Sequence, residues 1–346
     1  LIVEADGHPP APDGGYRIAA PASDAHIAWP DDFGPRFAVF VDTEEEFDWT
    51  QPLARENRAT TAMAALPELH ALFADHGVPA TYMIDQPIAV CPMSVEVLHR
   101  VMGDGRSAIG TQLHPWVNPP FDEAVTPFNS FVGNLPRALE AEKIAVLTDT
   151  IAAAFGRRPT MFRAGRYGIG PNSLELLAAA GYRVDSSMRS GYSYADQGGP
   201  DFTQIDNAAF RTGAGDLVEL PLTTVFTGAV RAGGAELYGA LGQVPMARGI
   251  ASRLGLLNRV ALTPEEMPLD EALEAIRVAV GEGGLQLLLF SYHSPSAVPG
   301  KTPYVRDAED LRLFRQWWVS VFALLDQLGV AAASHDEILD ALDRAG

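Results

Sequence analysis

The chain has 346 residues, with 25 Lys and Arg against 44 Asp and Glu for a formal charge of −19, and 47% hydrophobic residues. That negative field repels phosphates and anionic lipid, and no basic stripe offsets it. This excludes a nucleic-acid binder and points to a neutral or cationic partner such as a neutral sugar. A single cysteine, Cys91, rules out an intrachain disulfide and fits a reducing compartment; it reads as a buried structural thiol. No apolar run is long enough to span a membrane, so no membrane insertion is expected. The first residues have neither a basic n-region nor an apolar h-region, which predicts a cytoplasmic location.

Residues 1–34 are rich in Ala, Pro, Asp and Gly without periodicity and read as an irregular N-terminal tail on the surface. From residue 35 to 346 one α/β domain is expected. Phe37 to Val41 is a continuous apolar run, as in a strand buried on both faces, and it ends in the acidic cluster 42–48. A helix over 60–76 follows, then a strand at Pro79 to Ile84, a helix at 94–102 and a strand at Ala108 to Leu113. The alternation continues with a helix from about 136 to 155, a strand at Thr160 to Arg163, a helix at 172–180 and a strand at Tyr182 to Ser186. Residues 187–267 break it: Gly and Pro are frequent, one strand is expected at Leu217 to Leu220, and helices are few. This segment reads as an insertion near the barrel mouth. A helix at 270–281, the strand Leu285 to Tyr292, a helix at 307–328 and a strand at Val330 to Ala333 complete the pattern. Ser334 and Glu337 then fit a capping box. Strand–helix alternation of this kind predicts a parallel sheet, in a seven- or eight-stranded (β/α) barrel related to the TIM barrel, with an open doubly wound sheet as the alternative.

The polar residues of interest fall just after strands. Asp42 and Glu44 follow the first, His114 the third, Arg163 closes the fourth, and Asp185 and His293 end later ones. In a parallel barrel these ends converge on one face. Five carboxylates within residues 42–48 repel one another unless a cation or arginine neutralises them. One is expected to bind a divalent metal and one to act as a general base. Neutral imidazole suits His114 to metal ligation. His293, ending the most apolar strand, suits a general acid. Arg163 can orient a catalytic aspartate. Trp116, Arg166, Tyr167 and Tyr292 are candidates for binding substrate. His70, His76, His99 and His335 read as structural.

The motifs Phe-Val-Asp-Thr-Glu-Glu-Glu-Phe-Asp-Trp at 40–49, Ile-Gly-Thr-Gln-Leu-His-Pro-Trp at 109–116, Phe-Arg-Ala-Gly-Arg-Tyr-Gly at 162–168, Val-Asp-Ser-Ser at 184–187 and Ser-Tyr-His-Ser-Pro at 291–295 occur in an order that resembles the NodB-like polysaccharide deacetylases, carbohydrate esterase family 4 and its relatives. The resemblance implies a distorted (β/α) barrel, a divalent metal that is zinc in the usual case, and a carbohydrate substrate that loses an acetyl group. It implies Asp42 as base, Glu44 (or Glu45) and His114 as metal ligands, Arg163 supporting the base, and His293 as acid. The chain departs from the family in three ways. Asp-Thr-Glu-Glu-Glu replaces an adjacent Asp pair, the second histidine is absent, with Gln112 or Asn118 as substitutes, and the arginine motif is one residue longer. Two other readings stay open at this point: a catalytically degenerate saccharide-binding relative, and a hydrolase of other linear or cyclic amides.

Overall fold

The computed structural model describes residues 16–345. Its strands are β1 (Arg36–Thr43), β2 (Ala80–Ile84), β3 (Ala108–Leu113), β4 (Met161–Ala164), β5 (Val184–Asp185), β6 (Phe210–Arg211), β7 (Val218–Glu219), β8 (Thr224–Thr227), β9 (Asn258–Ala261), β10 (Leu287–His293) and β11 (Ala331–Ala332). The main sheet runs β10-β1-β2-β3-β4-β5-β7-β6, with β11 also paired to β1. Its pairings are parallel except β6 with β7. The sheet curls into a half-barrel, so the expected (β/α) barrel is present in open, distorted form.

The helices are α1 (Leu66–Asp75), α2 (Gln86–Val90), α3 (Pro92–Val101), α4 (Arg137–Phe155), α5 (Ser173–Ala179), α6 (Gly234–Leu241), α7 (Ala247–Arg253), α8 (Leu269–Gly281), α9 (Ala308–Gln327) and α10 (His335–Arg344). Their ends follow local chemistry. Asp307 caps α9 by accepting from the backbone N–H groups of Glu309 and Asp310, and Ser334 with Glu337 forms the expected capping box of α10. Gly156 closes α4 at φ 70°, a conformation that glycine adopts without a Cβ clash.

The strand period of two decides what faces the site. On β1, Phe37, Val39 and Val41 join the larger core, packed with residues of α1, α8 and α9. Ala38 and Phe40 join a smaller cluster with Met83, Met161 and Leu289 on the other side of the sheet. Asp42 continues that second series. On β4, Phe162 and Ala164 lie in the larger core and Met161 in the smaller, so Arg163 shares the face of Asp42. The same alternation corrects one expectation. On β10, Leu288, Phe290 and Tyr292 belong to the larger core. Tyr292 is therefore buried against Phe73, Phe314 and Trp318, at ring-centroid distances of 5.9, 5.6 and 5.6 Å, and is not in the substrate cleft.

Three further regions differ in detail from the sequence reading. The segment 187–267 is more structured than its composition suggests, with β6 to β9, α6 and α7. There, β8 and β9 form a separate antiparallel pair, and α6 and α7 lie in the connection between them. Cys91 is half-buried between α2 and α3. Burial alone would raise its thiol pKa, but hydrogen bonds with Ser94 and Thr60 outweigh that and lower it. In residues 16–34, bridges join Arg17 to Asp201 and His26 to Phe210, and Ile18 and Phe33 are buried. Residues 1–15 of the expected tail lie outside the described residues. No described helix is long and apolar enough to cross a membrane.

Candidate active site

Asp42 pairs in register with His293 across β1 and β10, and Gln112 with Arg163 across β3 and β4. These strand ends open into a cleft of about 630 Å³ whose wall includes Asp42, Glu44, Gln112, His114, Arg163 and His293. The convergence expected from strand-end positions is present.

Asp42 is buried, and its Oδ1 accepts from Nη1 of Arg163 at 2.5 Å. The arginine is itself held, its Nε donating to the Ser186 carbonyl at 3.0 Å and its Nη2 to the Ser186 hydroxyl at 3.3 Å. Arg163 thus fixes one oxygen of Asp42 in a bidentate-capable but singly used contact. Asp185 lies behind this pair and does not line the cleft. Burial lifts its carboxyl to about 6 and pushes Glu219 well above the usual range, as expected of neighbouring buried carboxylates.

Glu44, Glu45 and His114 form a second group. His114 Nδ1 is 2.8 Å from Glu45 Oε2, and the Trp116 indole donates to Glu45 Oε1 at 2.8 Å. The Glu45 backbone N–H donates to Asp85 Oδ2 at 2.8 Å, and Asp85 Oδ1 caps α2 through Ile88 N–H at 2.8 Å. One ligand atom each from Glu45, Asp85 and His114 lies within 4.8 Å of the others, so this buried group could hold a cation. Its oxygens, however, already accept hydrogen bonds. Glu44 differs. Its Oε2 stands 3.5 Å from His114 Nε2 and accepts from Gln112 Nε2 at 3.2 Å. Its Oε1 and the Gln112 Oε1 are buried without a hydrogen-bond partner among the described residues. Burial raises the Glu44 carboxyl to about 8, against the attraction of His293 and His114. A divalent cation beside Glu44 Oε1, Gln112 Oε1 and His114 Nε2 would satisfy these atoms. Glu45 then orients the imidazole from its other nitrogen, as carboxylates do behind metal-bound histidines. Asn118, the other substitute for the absent histidine, instead donates to the carbonyls of Pro119 and Lys143 and does not line the cleft.

His293 completes the wall. Its Nδ1 lies 2.7 Å from Glu265 Oε2, and its backbone N–H donates to Glu265 Oε1 at 3.0 Å. Ser296 also donates to Glu265 Oε1, at 2.5 Å. Burial opposes the imidazolium, but Glu265 and Glu44 outweigh it, and the His293 pKa is raised to about 10. Trp49 meets His293 edge-on at 5.3 Å, and Tyr304 stacks over it at 6.3 Å.

The predicted binding residues divide. Trp116, Arg166 and Tyr167 line the cleft with Tyr194 and Gln197. Trp116 stacks on His114 at 4.4 Å, so it shapes the site as well as walling it. Arg166 and Tyr167 adopt left-handed φ values of 54° and 60°, a strained pair for residues with side chains. Gly165 before them lies so close to His114 that an added Cβ would be 2.1 Å from its Cδ2.

Sequence reading missed Glu265, Glu266, Arg189, Asp85, Trp49 and Tyr304. Glu265 and Glu266 stand in Thr-Pro-Glu-Glu, at the end of the Gly- and Pro-rich segment 187–267. Their adjacency was the one available signal. Glu266 pairs with Arg189 across the cleft mouth at 2.5 Å.

The fold and site define an α/β half-barrel with an acidic, histidine-containing cleft at the strand ends. No family model matches the chain, and no curated protein matches it. Solved structures do. One is a Mycobacterium smegmatis protein assigned as a polysaccharide deacetylase, at 19% identity and a TM-score of 0.52, covering 94% of this chain and 96% of that one. Another is a Parabacteroides distasonis protein assigned as a glycoside hydrolase/deacetylase, at 11% identity and a TM-score of 0.53, covering 87% of this chain and 69% of that one. A family 4 carbohydrate esterase from Streptomyces lividans matches at 11% identity and a TM-score of 0.39, covering 87% and 92%. The neighbours thus include polysaccharide deacetylases, and the chain shares the NodB-like distorted-barrel fold.

Proposed function

We propose that this chain is a metal-dependent carbohydrate deacetylase, a hydrolase that removes an acetyl group from a sugar or polysaccharide. The observation that carries the reading is one cleft wall with three separately supported groups: Asp42 clamped by Arg163, Glu44 with His114 beside unpaired buried oxygens, and His293 held by Glu265. The likeness to solved deacetylases supports it through the fold.

Glu44 and His114, with the Gln112 amide oxygen as third donor, would hold the metal. An imidazole, a carboxylate and an amide oxygen suit zinc or a neighbouring first-row ion, with fewer strong donors than a two-histidine site. When bound, the ion supplies Lewis-acid polarisation of the acetyl carbonyl and makes water more acidic. Asp42, oriented by Arg163, accepts the proton of the attacking water. Glu265 accepts from the His293 Nδ1–H and so favours the imidazolium, which carries a second proton on Nε2 and delivers that one to the departing amine or alkoxide. Trp116, Tyr167 and Arg166 hold the saccharide against this wall. The reaction is then acyl transfer to water, with base and acid drawn from strands β1 and β10, opposite each other in register.

Elemental analysis of the purified protein beside Glu44→Gln and His114→Ala tests the metal assignment. About one zinc-like ion per chain, lost in both variants, is expected. Metal kept by Glu44→Gln but lost by His114→Ala would move the site to the Glu45–Asp85–His114 group, and metal retained in both would move it away from the cleft.

A further inference from the structure

Among the described residues, seven of the thirteen exposed large hydrophobic side chains fall between residues 230 and 256, in the connection from β8 to β9. Met246 is 80% exposed, Leu254 66%, Val244 58% and Ile250 54%. Met246, Ile250 and Leu254 recur every four residues along α7 and its two caps, so they form one stripe. The only buried residue of α7 is Ala251. The helix therefore turns its apolar stripe to solvent, the reverse of a helix docked on a core.

Charge on this segment also runs against the rest of the chain. Residues 228–257 carry Arg231, Arg248 and Arg253 against Glu236, a net charge of +2 in a chain of −19; Arg231 is paired with Glu282 at 2.6 Å, which leaves Arg248 and Arg253 as the cations of the surface. Neither Arg248 nor Arg253 makes an ion pair with a described residue; Arg248 lies over the Tyr238 ring at 4.3 Å. Two geometries for a second copy as occupant meet obstacles. Patch against patch sets like charges together. Patch against another surface needs a second apolar region, whereas the remaining exposed hydrophobics come singly or in pairs: Trp49, Phe128, Val90 with Met93 on α2 and α3, and Leu313 and Leu328 fifteen residues apart on α9 and its C-cap.

We propose that the α6–α7 connection is a peripheral lipid-binding surface, seating its aliphatic stripe among acyl chains with its arginines at anionic headgroups. An interfacial helix of this kind needs an apolar face rimmed by Arg or Lys. The net charge of the whole chain, which argued against anionic lipid, is screened beyond a Debye length of roughly 8 Å, so the segment's own sign governs contact. The base of the connection is tied to the cleft wall. Arg259 on β9 donates to the Gly191 carbonyl at 2.7 Å and lies over Tyr192 at 3.5 Å, and Arg189 of the cleft lies over the same ring at 3.9 Å. Lipid contact would thus bring the cleft to a membrane-associated substrate.

Co-sedimentation of the full chain with phosphatidylcholine vesicles doped with phosphatidylglycerol, and with pure phosphatidylcholine vesicles, tests this directly. The wild type is expected to pellet with the doped vesicles, and less with pure phosphatidylcholine or at high salt. Ile250→Glu/Leu254→Glu should weaken binding by roughly tenfold or more, because each buried aliphatic side chain alone accounts for about that factor. Circular dichroism and Tm should match the wild type, since both positions are exposed. Arg253→Glu gives an independent loss without touching the stripe. No wild-type binding, or equal binding by the double variant, overturns the proposal. A dimer in sedimentation velocity that the double variant dissociates also overturns it and makes a second copy the occupant.

Discussion

Replacing Glu265 by Gln removes the carboxylate that holds His293 while keeping its shape. Glu265 Oε1 accepts from the His293 backbone and from Ser296, and a Gln oxygen can still accept both. The Gln amide N–H would then face Nδ1, where it hydrogen-bonds to neutral imidazole rather than to imidazolium. The lost contact is a charge-assisted bond of 2.7 Å between buried groups. Such bonds contribute about 1.5–3 kcal/mol. At about 1.4 kcal/mol per pH unit, the His293 midpoint should fall by about one to two pH units from its raised position near 10. Burial, which opposes the charged ring, reinforces the fall. The assay is an NMR titration of the histidine Cε1–H signals, assigned with His293→Gln. The basic limb of acetate release should move down by the same amount. An unchanged midpoint would refute the claim that Glu265 sets the protonation of His293.

Stability of the metal-free protein should fall as pH rises from about 6.5 to 8. Glu44 is raised from 4.5 to about 8 mainly by burial, and His293 from 6.5 to about 10 by Glu265 and Glu44 against burial. In that window the folded state keeps protons that the unfolded state has lost, so each group contributes a loss of up to about 1.4 kcal/mol per pH unit. Melting curves from pH 6 to 9 check the sign, and added zinc should flatten the slope by favouring ionised Glu44. Gly165→Ala should destabilise the fold by about 1–3 kcal/mol through overpacking and weaken metal binding, because the new Cβ meets His114 and the Leu113 carbonyl; denaturant unfolding and a zinc titration measure both. Tyr292→Ala should cost about 3–5 kcal/mol as a core truncation, whereas Tyr292→Phe should leave KM for an acetylated oligosaccharide unchanged, since the ring is outside the cleft.

Most of the scaffold was legible because each strand is a short apolar run ending in a polar residue. Ala108–Leu113 was read to the residue. The strand ends therefore pointed to Asp42, His114, Arg163 and His293, which line one cleft. What failed was orientation and partnership. Tyr292 was read as a substrate-binding aromatic, but it neighbours His293 on β10, and a period of two sends neighbours to opposite faces. Glu265 could not be assigned to His293, because it stands 28 residues earlier, before α8 and β10, and no sequence pattern links the two ends of that unit. Helices α6 and α7 were hidden by glycines at 233, 234, 239, 242, 249 and 255, which dilute the helical pattern. The net charge averages over one segment, 228–257, whose sign is reversed.

Acetate release from acetylated oligosaccharides tests the central claim most directly, with zinc-loaded wild type compared against zinc-loaded Asp42→Asn. The account predicts acetate from the wild type, and none from the variant despite equal metal content, because the base is removed and the ligands Glu44 and His114 remain. No acetate from the wild type across N-acetyl and O-acetyl substrates, or equal release by both proteins, would contradict it.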